Sequence, residues 1–206
     1  VKPIKWYQIV LPLMMCGAFA ALSVRIPRYR FVLLGLGTMV GYAVIQDQVS
    51  ARLCPEYFTL FHPPIPGLTD PTLLGIGWGF LGAWWGGVFF GLAMGLVATV
   101  GPQPPLPLRA VVRPLWVLVV VVAAVTALTG LTVSHHARLL GVSLDAGMSG
   151  LVPPENRLAL LTVACYHLSA YVTATVGGVI VCVWVRAERR RRTNYAPERG
   201  PTNSPD

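Results

Sequence analysis

The sequence predicts an all-α integral membrane bundle of about five transmembrane helices, amino terminus outside and carboxyl terminus inside, around a glycine-ridged third helix. Three observations carry that expectation. Hydrophobic residues make up 54% of the chain and charged residues 12%, against roughly 25% charged in soluble domains, and mean hydropathy is +0.62. Five apolar runs approach or exceed the ~20 helical residues that cross a hydrocarbon core. The third, Leu73 to Val100, carries a small residue at every fourth position: Gly75, Gly79, Ala83, Gly87, Gly91 and Gly95. So many glycines disfavour a helix in water, but in lipid they let backbones approach and pack. A step of four overshoots one turn by about 40°, so on a straight helix the ridge winds about 200° and offers close approach to two neighbours.

The first span, 6–24, opens on Trp6 and Tyr7 as interfacial aromatics and contains Pro12, which a membrane setting tolerates. It also imitates a signal peptide, with Lys2 and Lys5 before the apolar run and Ala18-Phe19-Ala20 as a cleavage-like triplet. Charge bias argues for retention. With span one kept, alternation places Arg25, Arg28, Arg30, Arg109, Arg113, Arg186, Arg189, Arg190, Arg191, Arg192 and Arg199 inside, eleven of the sixteen Lys and Arg. The N-terminal lysines run against that bias.

Span two, 31–52, holds Gly37 and Gly41 four apart, and turns polar at Gln46-Asp47-Gln48. Pro55 stops it, and the loop to Asp70 is ordered by prolines and aromatics rather than by regular structure. Span three is 73–100, where Trp84 and Trp85 fall mid-span, suited to filling space opposite glycines. A Pro-rich turn ends in Arg113-Pro114, with Pro114 in the first turn of span four, 115–134. His135-His136 caps that span, and a loop to Arg157 precedes span five, 158–186. Residues 1–186 are thus one transmembrane domain and 187–206 a basic, disordered cytoplasmic tail. The net charge of +8 lies at span ends and in the tail rather than among stacking aromatics, which excludes a nucleic-acid groove. Cys16, Cys165 and Cys182 fall inside spans, so no disulfide framework is expected.

This topology gathers the histidines in the outer half. His62, His135 and His136 lie at external loops with Asp47, Glu56, Asp70, Asp145 and Glu155, and His167 lies about 15 Å into span five. Imidazoles and carboxylates together suit zinc or another transition metal, with His62, His135 and His167 as candidate ligands. The competing reading is that loops are where polar residues go, and adjacent His135 and His136 point about 100° apart. Intramembrane His167 continues a small-residue face through Ala170, Tyr171, Ala174 and Gly178. It serves either as a hydrogen-bonded neutral histidine between helices or as ligand, proton relay or cofactor contact. Asp47 shares a helical stripe with Ser50 and Cys54 and has Arg52 on a neighbouring one. It either pairs with Arg52 at the interface or faces His167, orienting the imidazole or acting as general base. With Glu56 in the rigid loop, Asp47 and His167 make the candidate acid/base set; Cys54 has no base placed beside it.

The stretch Gln46-Asp47-Gln48-Val-Ser50-Ala-Arg52-Leu-Cys54-Pro-Glu56-Tyr57-Phe58-Thr59-Leu-Phe-His62, with Thr69 to Leu74 and Trp78 to Trp85, resembles a family of uncharacterised bacterial multipass membrane proteins. The resemblance covers about a quarter of the chain. It implies a bacterial source and a loop that is more than a spacer, and it implies no reaction or catalytic residue.

The expected function is a structural or accessory subunit of the bacterial inner membrane, packing in the bilayer with itself or with a partner membrane protein. The alternative is a metal-dependent or acid/base enzyme with its site at the outer face, and the third reading is a small transporter. An accessory role predicts an exposed glycine groove, an enzyme predicts convergence of the outer polar residues, and a transporter predicts a polar path across the bundle.

Overall fold

The computed structural model describes residues 2–194, and over them the chain is helical, with five helices long and apolar enough to span a membrane. The long helices are α1 (Tyr7–Arg25), α2 (Tyr29–Leu53), α4 (Pro71–Thr99), α5 (Arg109–His136) and α7 (Arg157–Asn194). Short helices α3 (Glu56–Thr59) and α6 (Ala146–Leu151) lie between them, and a 3-10 turn, Pro154–Asn156, leads into α7. Successive spans reverse direction, so the Arg25–Arg30 hairpin, the α4–α5 connection and the end of α7 share one end of the bundle. The four histidines sit towards the other.

Caps explain several boundaries. The Asp70 carboxylate accepts from the Leu73 N–H at 2.9 Å with Pro71 at the first helical position, starting α4. Asp145 does the same for α6 through the Met148 N–H at 3.0 Å. These two loop carboxylates are therefore committed to backbone. The loop after α2 is more regular than expected: Pro55 precedes one helical turn, α3, with Glu56 in its first turn, where a carboxylate suits the helix dipole. Helix α5 starts nearly two turns earlier than expected, at Arg109, so Pro114 lies in its interior. There it removes one hydrogen bond, to the Ala110 carbonyl.

The glycine ridge of α4 is a packing surface, but for one neighbour instead of two. A Cβ on Gly95 would lie 2.8 Å from the Arg28 carbonyl oxygen, and one on Gly91 2.5 Å from Val32 Cα. On Gly87 it would lie 2.7 Å from Leu36 Cα, on Gly79 2.6 Å from Val44 Cα, and on Gly75 2.9 Å from the Asp47 carbonyl oxygen. As α4 advances by fours, α2 recedes by threes and fours, so the two are antiparallel in a nearly constant register and α2 follows the inclined ridge. A seam period longer than 3.6 residues favours the right-handed coiling of small-residue pairs. Gly35 supplies the matching close approach from α2, its Cβ position 2.7 Å from the Gly87 carbonyl oxygen. The expected pair Gly37 and Gly41 has open space instead, because two residues of helix turn the chain through about 200°. Trp85 is likewise 55% exposed, facing away from the chain with Phe89 instead of filling space against glycines.

Helices α5 and α7 form the second closely packed pair, joined to α4 by a core that includes Met94, Ala98, Val111, Leu115, Val122, Val181 and Val185. Helix α7 does not end at Arg186: it runs to Asn194, so the first part of the expected disordered tail is helix. Glu188 holds that turn by pairing with Arg191 and Arg192, three and four residues on, each at 2.8 Å. The rest of the expected tail, 195–206, lies outside the described residues. Arg189, 3% exposed, caps the end of α4 by donating to the carbonyls of Val100 at 2.7 Å, Val97 at 3.2 Å, Pro104 at 2.9 Å, and Gln103. A helix C-terminus leaves its last carbonyls unpaired, and a guanidinium with five fixed donors satisfies several at once.

Candidate functional site

Between α2 and α7 at the histidine end, four side chains from two helices close on one another. Asp47 and Ser50 sit three apart on α2, and Tyr166 and His167 are adjacent on α7. The Ser50 hydroxyl lies 2.9 Å from His167 Nε2 and accepts from the Tyr166 hydroxyl at 2.6 Å. It also donates to the Gln46 carbonyl one turn back, at 3.2 Å. Asp47 Oδ1 lies 3.5 Å from the same His167 Nε2.

Ser50 has one proton and two lone pairs, one of which takes the Tyr166 O–H. With its proton on the Gln46 carbonyl, the second lone pair takes Nε2–H of His167; with the proton turned to Nε2, the imidazole is the acceptor. In both tautomers Asp47 shares Nε2 with the serine instead of orienting the ring from Nδ1, so the arrangement differs from a serine–histidine–acid relay. The cluster is also closed: Ser50 is 0% exposed, Asp47 5% and His167 6%.

Aromatic rings extend the cluster into the loop. Tyr57 of α3 stacks on His167 with centroids 4.7 Å apart and planes at 25°, and Tyr166 flanks the same imidazole at 5.1 Å and 23°. Tyr57 also meets His62 at 4.9 Å, and Trp78 of α4 meets His62 at 4.6 Å. His62 Nδ1 lies 2.8 Å from the Tyr57 carbonyl oxygen; a carbonyl can only accept, so Nδ1 carries a proton. Burial holds the His62 imidazole below the usual histidine range, only partly offset by that bond, because low-dielectric surroundings disfavour the cation. Burial likewise pushes the Tyr57 phenol up. The Trp78 indole nitrogen and Gln46 Oε1 are buried and have no hydrogen-bond partner among the described residues.

Glu56 stands apart from this set. Its carboxylate accepts from Asn156 Nδ2 at 2.6 Å and from the Cys54 thiol at 3.4 Å, tying α3 to the turn before α7. Cys54 is 0% exposed and burial pushes its thiol up to about 11, which disfavours the thiolate that a nucleophile needs. The Asp47–Arg52 pairing expected as one alternative does not form: Arg52 donates to Gln48 Oε1 at 2.9 Å and to Thr72 Oγ1 at 2.8 Å.

Of the candidate acid/base set, Asp47 and His167 come together and Glu56 does not join them. Of the candidate metal set, His62 and His167 share the Tyr57 ring, while His135 lies exposed beside His136 in the last turn of α5. Among the described residues no group of three or more His, Cys, Asp or Glu is placed to hold a metal ion. The three histidines thus do not assemble as a ligand set, for zinc or any other transition metal. Sequence reasoning did not anticipate Tyr57 and Tyr166 here. For Tyr166 the available signal was its adjacency to the one histidine within a span. No protein-family model, curated protein or solved structure matches this chain.

Proposed function

We propose that this chain is a structural or accessory subunit of a bacterial cytoplasmic membrane, amino terminus outside and arginine-rich end inside. The supporting observation is the closure of the Asp47–Ser50–Tyr166–His167 network. Ser50 of α2 bonds both the Tyr166 hydroxyl and the His167 imidazole of α7, and Asp47 lies beside the same ring, so the cluster fastens α2 to α7. The surface that remains for a partner is lipid-facing. Within their most apolar stretches, the spanning helices keep only 11–28% of residues buried inside the chain. The glycine ridge is not that surface, because α2 already covers it.

The test is the mass of the particle extracted from native membranes with its surrounding lipid. This reading expects more than one polypeptide, either copies of the 22.2 kDa chain or a stoichiometric second membrane protein. A single copy in every extract overturns it.

A second reading, an acid/base site at the outer face, is favoured by one observation: Asp47 and His167 converge from different helices. Buried ionisable side chains within spans face bundle interiors and are usually functional. Comparing Asp47→Asn with wild type in cells that need the protein separates the two. A folded Asn variant that supports growth is the accessory outcome, and one that is present but inactive is the acid/base outcome.

A further inference from the structure

The arginine end carries a second feature, independent of the polar cluster. The Arg28 carbonyl rests on Gly95, where a Cβ would lie 2.8 Å from its oxygen. Beside this contact is a cleft of about 260 Å³ lined by Arg28, Tyr29, Leu92, Gly95 and Leu96. Leu92 and Leu96, one turn apart on α4, make an apolar wall, and Leu96 is 52% exposed on the lipid-facing side. At the mouth the Arg28 guanidinium carbon stands 5.5 Å from the centroid of the Tyr29 ring. That ring is the only partner of the guanidinium among the described residues. The neighbouring Arg30 is already committed, its Nε donating to the Ser23 carbonyl at 3.2 Å. Among the described residues, Glu188 is the one acid at this end, and it is held by Arg191 and Arg192.

We propose that this cleft binds an anionic phospholipid, with the phosphate on the Arg28 guanidinium and an acyl chain along Leu92 and Leu96. A guanidinium pairs bidentately with phosphate, and basic pockets between spans on the cytoplasmic side suit anionic headgroups. The apolar wall commits the site to a lipid over a free anion, since inorganic phosphate gains nothing from Leu92 and Leu96.

Native mass spectrometry of the purified full chain, titrated separately with phosphatidylglycerol, phosphatidylcholine and inorganic phosphate, tests the site. Phosphatidylglycerol is expected to be retained about fivefold over phosphatidylcholine, the ratio that one well-placed surface arginine supplies. Arg28→Gln abolishes that preference, while Arg190→Gln, which removes the same charge from an exposed position at the same end, keeps it. Leu96→Trp leaves every charge in place and fills the cleft, and it also lowers phosphatidylglycerol retention. Equal retention of the two lipids, equal loss in Arg28→Gln and Arg190→Gln, or displacement of phosphatidylglycerol by equimolar inorganic phosphate overturns the proposal.

Discussion

His167 Nε2 of α7 stands 3.5 Å from Asp47 Oδ1 of α2, with both residues at most 6% exposed. Ser50 completes the junction, so removing its hydroxyl takes the acceptor from the Tyr166 O–H and leaves His167 Nε2 with only Asp47 Oδ1 beside it. Leaving a buried polar group unsatisfied costs about 1–3 kcal/mol. Ser50→Ala is therefore expected to lower the thermal unfolding midpoint in detergent by several degrees. Ser50→Thr, which keeps an oxygen in place, is expected to lose less. An Ala variant as stable as wild type would show that the hydroxyl bonds contribute nothing to the α2–α7 junction.

The α2–α4 seam makes a prediction with an internal control. A methyl on Gly91 would lie 2.5 Å from Val32 Cα, and backbone cannot swing aside as the tip of a side chain can. Gly91→Ala must separate the helices locally, at the ~1–3 kcal/mol typical of overpacking. Gly82→Ala, on the same helix with nothing within 4 Å, is expected to be neutral or slightly stabilising, since Ala is the better helix former. Thermal unfolding of the two variants side by side gives opposite signs if the seam is as close as it is described. Equal effects would contradict it.

Residues 71–99 show why some features were legible in the sequence and others not. The four-residue spacing is local, so the ridge and its role in packing could be read from the chain. Which helix fills it depends on the register with α2, a long-range property that the spacing of α4 does not encode. On a straight helix the ridge winds about 200° and would so meet two neighbours, whereas α2 follows the ridge along its whole length. The same distinction holds at the candidate site. Asp47 and His167 stood out because ionisable groups within apolar spans are costly. Tyr57 and Tyr166 did not, since an interfacial or helical tyrosine is ordinary until its neighbours are known. The helical extension to Asn194 was obscured by composition: a run of arginines reads as a solvated tail, and the Glu188 pairings and the carbonyls that Arg189 satisfies lie outside any hydrophobic pattern.

Arg189 is expected to be the costliest arginine to replace. Its guanidinium is buried among carbonyls of the α4 terminus and the loop to Pro104, so truncation leaves several acceptors unpaired at a helix C-terminus. Hydrogen bonds to a charged group are worth about 1.5–3 kcal/mol each before relaxation. Arg189→Ala should lower folded yield and unfolding temperature far more than Arg190→Ala at the exposed neighbouring position. Arg189→Lys should recover only part of the loss, because an ammonium cannot span carbonyls on both sides of the turn. Matching stabilities for the variants at positions 189 and 190 would mean that the cap contributes nothing beyond its charge.

The loop histidine His62 gives a pH dependence whose sign is fixed by its surroundings. The side chains packed around it are Tyr57, Phe58 and Trp78, none of them acidic, so the bond to the Tyr57 carbonyl favours the cation and burial outweighs it. Burial holds its folded-state value below the ordinary one, which is about 6.5. Between those two values the unfolded chain binds a proton that the folded chain does not. Stability therefore rises with pH in that window, and it is lost as pH falls below about 6.5 until the folded imidazole itself titrates. The unfolding midpoint of the wild type should decline on acidification through that range. His62→Gln keeps a donor for the Tyr57 carbonyl and has no proton to gain, so it should flatten that part of the profile while sharing any steeper loss at lower pH. An identical pH profile for wild type and His62→Gln would show that protonation of His62 is not coupled to the packing of this loop.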